Sequence, residues 1–411
     1  MSASALATDH EQGVRDEALE AFREEVAQWF RANRPPEPGF LLPESFMEVG
    51  TEEQFVYLRD WQRKLYDAGY LGMAWPSAYG GGGRPQVYQD IVNAEMARQK
   101  LPFVPNTIGL NWAGPLILAI GSEAEKQRYI RGILNADDIW CQGFSEPDQG
   151  SDLASSQLRA VRDGDHYVLN GSKIWTSLGS HAKYMILLAR TNPEKPRYDG
   201  LSFFLVPMHT PGIEARPIRK LTGEYGFNQT FFNDARIPAD CLMGREGEGW
   251  KIAMLTLTFE RGATGGQAGG IARMALGVGD VLELARRSRR DGRPALDDPF
   301  VRDQMVRFMI EDQGDKLCAA RGAIPALCSE RPQAIPLSNK LRRSEHMRRL
   351  LQFSLSLQGA NAVRWMGDTD AVDGGKWQRS YFNSFASTIG GGTSQIQANI
   401  VGERVLGLPK D

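Results

Sequence analysis

Apolar residues recur at three- and four-residue steps near the start of the chain, at Leu19, Phe22, Val26 and Phe30. That spacing predicts an amphipathic helix over 14–31, ending before Pro35-Pro36. A second helical stretch runs over 52–68 and meets PSAYGGGGRP at 76–85, where four consecutive glycines between prolines argue against regular structure. Helical patterns return over 87–100 and 122–134.

The period changes after Ile139. QLRAVR (157–162), HYVLNG (166–171), KYMILLAR (183–190), LSFFLVP (201–207) and TFFNDARIP (230–238) are short, rich in β-branched and aromatic residues, and bounded by turn residues. Asp163-Gly164 between the first two is a hairpin signal. From Gly249 onward the helical period resumes. Helices, then strands, then helices is a segregated order, which favours an α+β fold over an alternating α/β one. The expected domains are a helical one at 1–138, a β domain at 139–246 and a helical bundle at 247–411.

Composition narrows the class of partner. The 411 residues carry a net charge of -2 and are 42% hydrophobic and 24% charged, which suits a soluble chain with a large core and gives no basis for nucleic-acid or anionic-membrane binding. MSASALATDHEQ lacks the basic and apolar regions of a targeting signal, and no apolar run approaches the roughly 20 residues of a membrane span. The expectation is a cytoplasmic protein. Four cysteines without a CxxC pair and five scattered histidines give no metal-ligand spacing. GGGGRP at 80–85 and GGGTSQ at 390–395 lack both the Gly-Lys-Ser/Thr of a P-loop and a GxGxxG in a βαβ unit.

Four blocks point elsewhere: GYLGMAWPSAYGGGG (69–83), QGFSEPDQGSD (142–152) continuing through GDHYVLNGSKIWTS (164–177), ARIPADCLMGREGEGW (235–250) leading to FER (259–261), and GGGTSQIQANIVGERVLGLP (390–409). In this order and spacing the chain resembles the acyl-CoA dehydrogenases from about Phe22 to Pro409. The resemblance implies a helical N-terminal domain, a β-barrel middle domain, a C-terminal four-helix bundle, bound FAD, and α,β-desaturation of an acyl-CoA thioester. It further implies electron transfer to an electron-transfer flavoprotein, and a homo-oligomer, a dimer or dimer of dimers, in which a neighbouring subunit completes the FAD site.

The residue types fit that chemistry. Oxidation at Cα and Cβ needs a proton acceptor and a hydride acceptor, and no side chain accepts hydride, so a flavin is required. Its polar rim calls for hydroxyls and backbone N–H groups, and its apolar end for aromatic walls. By resemblance Ser145 matches the hydroxyl at the pyrimidine edge, Ser177 the one near N5 and Trp175 the aromatic beside the ring, while Phe144 contributes main chain. Read without that context, Ser145 is a turn or N-cap residue, Ser177 a strand-end serine and Trp175 a strand aromatic. For the adenosine pyrophosphate the resemblance maps onto Arg289, Gln304, Gln358, Gly359, Thr393 and Gln395. Asp291 and Ala360 depart from the commoner pattern and leave Arg289 and Arg290 as alternatives. Ser151 and Arg261 match positions near the pantetheine and the mouth of the site, with turn capping and a surface ion pair as their ordinary readings.

Many members of the family carry the catalytic base just before Gly-Thr-Ser. Here that position is Gly391, and Thr388, Ile389, Gly390 and Gly392 offer no carboxylate. A minority branch, which includes the isovaleryl- and long-chain acyl-CoA dehydrogenases, places a glutamate directly before an arginine on another helix, and Glu260 in LTFERGA matches it. A structural Glu-Arg contact is the competing reading. Glycine at 391 keeps the backbone N–H that the family aims at the thioester oxygen, and with Gly390 it frees volume. The glycines of GATGGQAGG (262–270) remove more, so a wide acyl site for a bulky, branched or cyclic chain is expected. Two rivals remain: a non-catalytic subunit of a hetero-oligomeric dehydrogenase, and a relative with altered oxidation chemistry.

Overall fold

The computed structural model describes residues 3–260, 276–322, 324–328 and 334–409. Arg261 and the glycine-rich segment 262–270 lie outside the described residues. The chain divides into two compact units, 1–220 with 224–274 and 221–223 with 275–411.

The first unit opens with helices α1 (Ala3–Asn33), α2 (Glu52–Asp67) and α3 (Gln86–Arg98). The apolar stripe of α1 is buried at Phe22, Val26 and Phe30, as its spacing demands. A π-helical turn (Gly109–Ala113) runs directly into α4 (Gly114–Ile120). Helix α5 (Glu123–Leu134) starts at a capping box in which the Ser122 hydroxyl accepts from Glu125 N–H and the Glu125 carboxylate accepts from Ser122 N–H. The glycine-rich stretch expected to be irregular holds one short 3₁₀ turn at Ser77–Tyr79.

Among the described residues of this unit, eight strands form one sheet: β1 (Trp140–Gly143), β2 (Arg159–Asp163), β3 (His166–Ser177), β4 (Tyr184–Arg190), β5 (Leu201–Pro207), β6 (Ile213–Ile218), β7 (Phe227–Pro238) and β8 (Leu242–Met243). The order is β6-β7-β3-β2-β4-β5-β8, with β1 pairing parallel to β4. β2 and β3 form the expected hairpin, Asp163 opposite His166, with Gly164 at φ 62° in the turn. β4 and β5 are apolar almost throughout because each separates two cores. Ile186, Leu188, Phe203 and Leu205 face the core shared with the helices, whereas Met185, Leu187, Phe204 and Val206 face a second core within the sheet.

Helix α6 (Gly249–Glu260) closes the described part of this unit, packing on β4, β5, α4 and the π-turn. Its first residue must be glycine: a Cβ there would lie 2.5 Å from the Ser202 backbone, so a side chain would push the helix off β5. The second unit is helical: α7 (Val278–Arg287), α8 (Pro299–Gly322), α9 (Ala334–Ser356), α10 (Lys376–Ile389) and α11 (Ser394–Ile400), with a two-stranded ribbon, β9 (Arg289–Arg290) and β10 (Arg293–Pro294), between α7 and α8. Val281, Leu284, Met305, Phe308, Leu350, Phe353 and Trp377 form its core.

Candidate active site

In the first unit a buried ion pair holds the two segments that carry the expected flavin residues. β1 leads into Phe144 and Ser145, and the end of β3 carries Lys173, Trp175 and Ser177. The Lys173 ammonium, fully buried, donates to Phe144 O at 2.9 Å and to Glu146 Oε1 at 2.8 Å. The Glu146 carboxylate also accepts the N–H groups of Gln157 at 2.7 Å and Leu158 at 2.9 Å, and Ile174 N–H donates to Ser145 O at 2.9 Å. Burial pushes the Lys173 ammonium down to about 8 against the opposing pull of Glu146. Neither residue stood out in the sequence as a site residue, although an isolated Lys inside a β-patterned run and the Glu of SEP were the available signals.

Trp175 sits at a bulge. Pairing of β3 with β7 slips between Lys173 and Thr176, and Trp175 takes φ 61°, a left-handed conformation that costs a non-glycine residue about 1–3 kcal/mol. The slip is pinned by Asn228 Nδ2 donating to Thr176 O at 3.0 Å and by the Thr230 and Thr176 hydroxyls at 3.2 Å. It turns the indole outward, 55% exposed, nearly perpendicular to the Phe227 ring with centroids 5.9 Å apart. The Ser145 and Ser177 hydroxyls hydrogen-bond to no other described residue. Two uncommitted hydroxyls and an outward aromatic wall on segments locked by one ammonium suit a planar flavin with a polar rim. Phe144 differs in one respect from expectation: its carbonyl is committed to Lys173. Ser151 is exposed in the loop that follows.

Glu260 is the last described residue of α6, half-buried, and has an interaction partner. The eight residues before it, IAMLTLTF, contain no charge, and the Thr256 and Thr258 hydroxyls are satisfied by the helix carbonyls of Ile252 and Met254. The carboxylate therefore ends an uncharged stretch of the helix.

The remaining candidates belong to the second unit. Arg290 pairs with Asp298 at 3.1 Å, whereas Arg289 donates to Gly292 O at 2.9 Å and has no carboxylate partner among the described residues. Gln304 is half-buried on α8. The Gln358 amide donates to Ser354 O and accepts from Gln378, so what it and Gly359, at φ 56°, offer outward is chiefly backbone. After α10 the chain turns through Gly390, Gly391 at φ 68° and Gly392 at φ 92°. The buried Gln397 amide holds Gly391 O at 2.8 Å, and Lys340 donates to Gly392 O, leaving the Gly391 N–H without an acceptor among the described residues. Thr393 caps α11 through Ile396 N–H and, with Gln395, lines a concavity of about 290 Å³ beside Thr388, Ile389, Phe385 and Arg348. Glu345 also faces it, its carboxyl held below the usual range by the Ser394 hydroxyl and Arg348. Arg289, Gln304, Gln358 and Gly359 do not line that concavity.

Models of the acyl-CoA dehydrogenase N-terminal, middle and C-terminal domains match residues 8–137, 141–235 and 247–406. The chain belongs to the acyl-CoA dehydrogenase family, whose members are FAD-dependent flavoproteins, and is an oxidoreductase acting on acyl-CoA. It is 38% identical to acyl-CoA dehydrogenase IpdE1 of Mycobacterium tuberculosis over 96% of this chain and 98% of that protein. Among solved structures it is similar to the Tcur3481-Tcur3483 steroid ACAD, with TM-score 0.76, 29% identity and coverage of 96% of this chain and 98% of that one. It is also similar to the ChsE4-ChsE5 complex from Mycobacterium tuberculosis, with TM-score 0.74, 27% identity and the same coverage. No helix among the described residues is long and apolar enough to cross a membrane.

Proposed function

We propose that this protein introduces a Cα–Cβ double bond into a bulky, cyclic or branched acyl-CoA, with Glu260 as the base. The observation that carries the reading is the pairing of two facts: Gly391 and its neighbours supply no carboxylate, and Glu260 stands half-buried at the end of the uncharged stretch 252–259 of α6. Bound FAD supplies the hydride acceptor for the hydrogen leaving Cβ. The Glu260 carboxylate takes the proton from Cα, and the electron pair left there closes the double bond as the hydride departs, giving the enoyl thioester. The Gly391 N–H donates to the thioester oxygen while negative charge builds on it. Ser145, Ser177 and Trp175 would hold the flavin ring, and Arg289, Gln304, Gln358, Gly359, Thr393 and Gln395 would hold the pyrophosphate side, where the fork of Arg289 donors suits phosphate oxygens. Ser151 and Arg261 are assigned to the thioester's CoA portion. Electrons leave to an electron-transfer flavoprotein, and the working form is a homo-oligomer.

The bulky-substrate reading draws support from Gly390 and Gly391 and from the similarity to a steroid ACAD. The test is anaerobic flavin bleaching by a panel of acyl-CoAs with the wild type and Glu260→Gln. Rapid bleaching by cyclic or branched thioesters, lost in the variant, is the expected result; wild-type rates in the variant would remove Glu260 from the mechanism. A second reading, a subunit completing a hetero-oligomeric dehydrogenase, is favoured by the similarity to the ChsE4-ChsE5 complex. A protein that purifies alone without flavin, and turns yellow and active only with a second chain, would establish it instead.

A further inference from the structure

We infer that Asn111 reads an oxygen substituent, a ketone or hydroxyl, on the acyl group; this rests on the acyl-CoA oxidation proposed above. Asn111 is 2% exposed, and among the described residues neither its Oδ1 nor its Nδ2 has a hydrogen-bond partner. The fold satisfies comparable buried amides nearby. Asn106 donates to Ile133 O and Asp138 O and accepts from Trp140 N–H, and Gln62 donates to Ile133 O and Leu134 O and accepts from Asn106 N–H. A buried amide left with both ends unpaired is costly, so a group that completes it has a place to act.

Its position says which group. Asn111 lies in the π-turn, where Gly114 N–H donates to Gly109 O across five residues; such wide turns concentrate at functional sites. The turn packs against α6, whose last described residue is Glu260, and against β1, which leads to Ser145. On β1, Gln142 Nε2 is likewise buried without a partner among the described residues, and Gln142 shares its strand face with Trp140, which belongs to the same core as the turn residues Leu110 and Ala113. Unpaired amide groups thus occur on two touching elements, one packed against the helix of the base and the other running into the flavin segment, amid hydrocarbon side chains. A purely hydrocarbon acyl group would leave them unpaired. A ketone oxygen accepts from Nδ2, and a hydroxyl can also donate to Oδ1.

Anaerobic flavin reduction by cyclohexane-1-carbonyl-CoA, compared with its 3- and 4-oxo and 3- and 4-hydroxy counterparts, tests the inference in the wild type and in Asn111→Leu. The wild type should favour at least one oxygenated thioester over the parent by roughly 5- to 150-fold, the factor expected for leaving a buried polar group unpaired. In the variant that ratio should collapse toward one while the melting temperature holds or rises, because leucine removes an unsatisfied amide. A wild type with no such preference, a preference that survives in the variant, or a variant that melts lower and slows every thioester alike would overturn it. If no thioester bleaches the wild type, the acyl-CoA reading falls with it; failure of the ratio alone strikes only Asn111.

Discussion

In the proposed reaction the proton acceptor is the Glu260 side chain. Glutamine at 260 keeps shape and hydrogen bonding but cannot accept a proton, so flavin reduction should slow by about 10²–10⁴-fold while the protein stays folded and flavin-bound. A purely structural glutamate would give the opposite pattern, a lower melting temperature at an unchanged rate. Moving the carboxylate to 391 is not a simple exchange, because Gly391 at φ 68° sits where an L side chain costs about 1–2 kcal/mol. Ser177, with its uncommitted hydroxyl, should behave differently from both. In the flavin role proposed above, Ser177→Ala should retain FAD yet reduce it more slowly, since a hydroxyl donor to the ring gains strength as the ring becomes electron-rich. Stopped-flow reduction at saturating thioester reads this directly, and an unchanged rate would remove Ser177 from the site.

At the level of elements, legibility followed the strength of the apolar signal. LSFFLVP became β5 with the expected bounds, and the 122–134 pattern became α5 behind its Ser122 cap. β6, IEARPI, gave no signal because it is an edge strand paired to β7 alone, largely exposed, and carries Pro217. β1 is too short at four residues to show a period. The π-turn at 109–113 has no composition of its own; only packing distinguishes it from the start of α4. For the candidate site, the resemblance alone assigns Ser145 and Ser177 to a flavin, and the bulge that turns Trp175 outward depends on a register slip against β7, which lies some fifty residues away and is invisible locally.

Across each unit, charge is placed to join distant segments. In the second unit Asp373 receives the Arg287 guanidinium, the Trp377 indole N–H at 2.7 Å and Lys376 at 3.3 Å, tying α7 to the start of α10. Arg287 foremost, then Trp377 and Lys376, hold its carboxyl well below the usual range. A carboxylate so depressed contributes stability that is complete above about pH 4, its unfolded value, and is lost as pH falls through the folded value. Asp373→Asn should therefore lower the melting temperature at pH 7, and the gap from the wild type should narrow as pH is taken from 5 toward 3. Paired calorimetric scans check this; a gap constant with pH would exclude the mechanism.

The Lys173–Glu146 pair also constrains how the sequence can change over time. Replacing either residue alone strands a buried charge and costs about 3–5 kcal/mol, whereas replacing both by apolar residues of similar volume can be nearly neutral. Lys173→Met and Glu146→Leu should each melt far below the wild type, and the double variant should recover much of the loss, less what the Gln157 and Leu158 N–H groups lose as donors. Additive losses in that cycle would show the pair to be independent. If the two are coupled, neither position can drift first, since every one-step path passes through a chain too unstable to be kept. Selection then holds both residues in place even in a lineage that has abandoned the reaction, so a descendant that has stopped binding FAD would still carry this lysine and this glutamate.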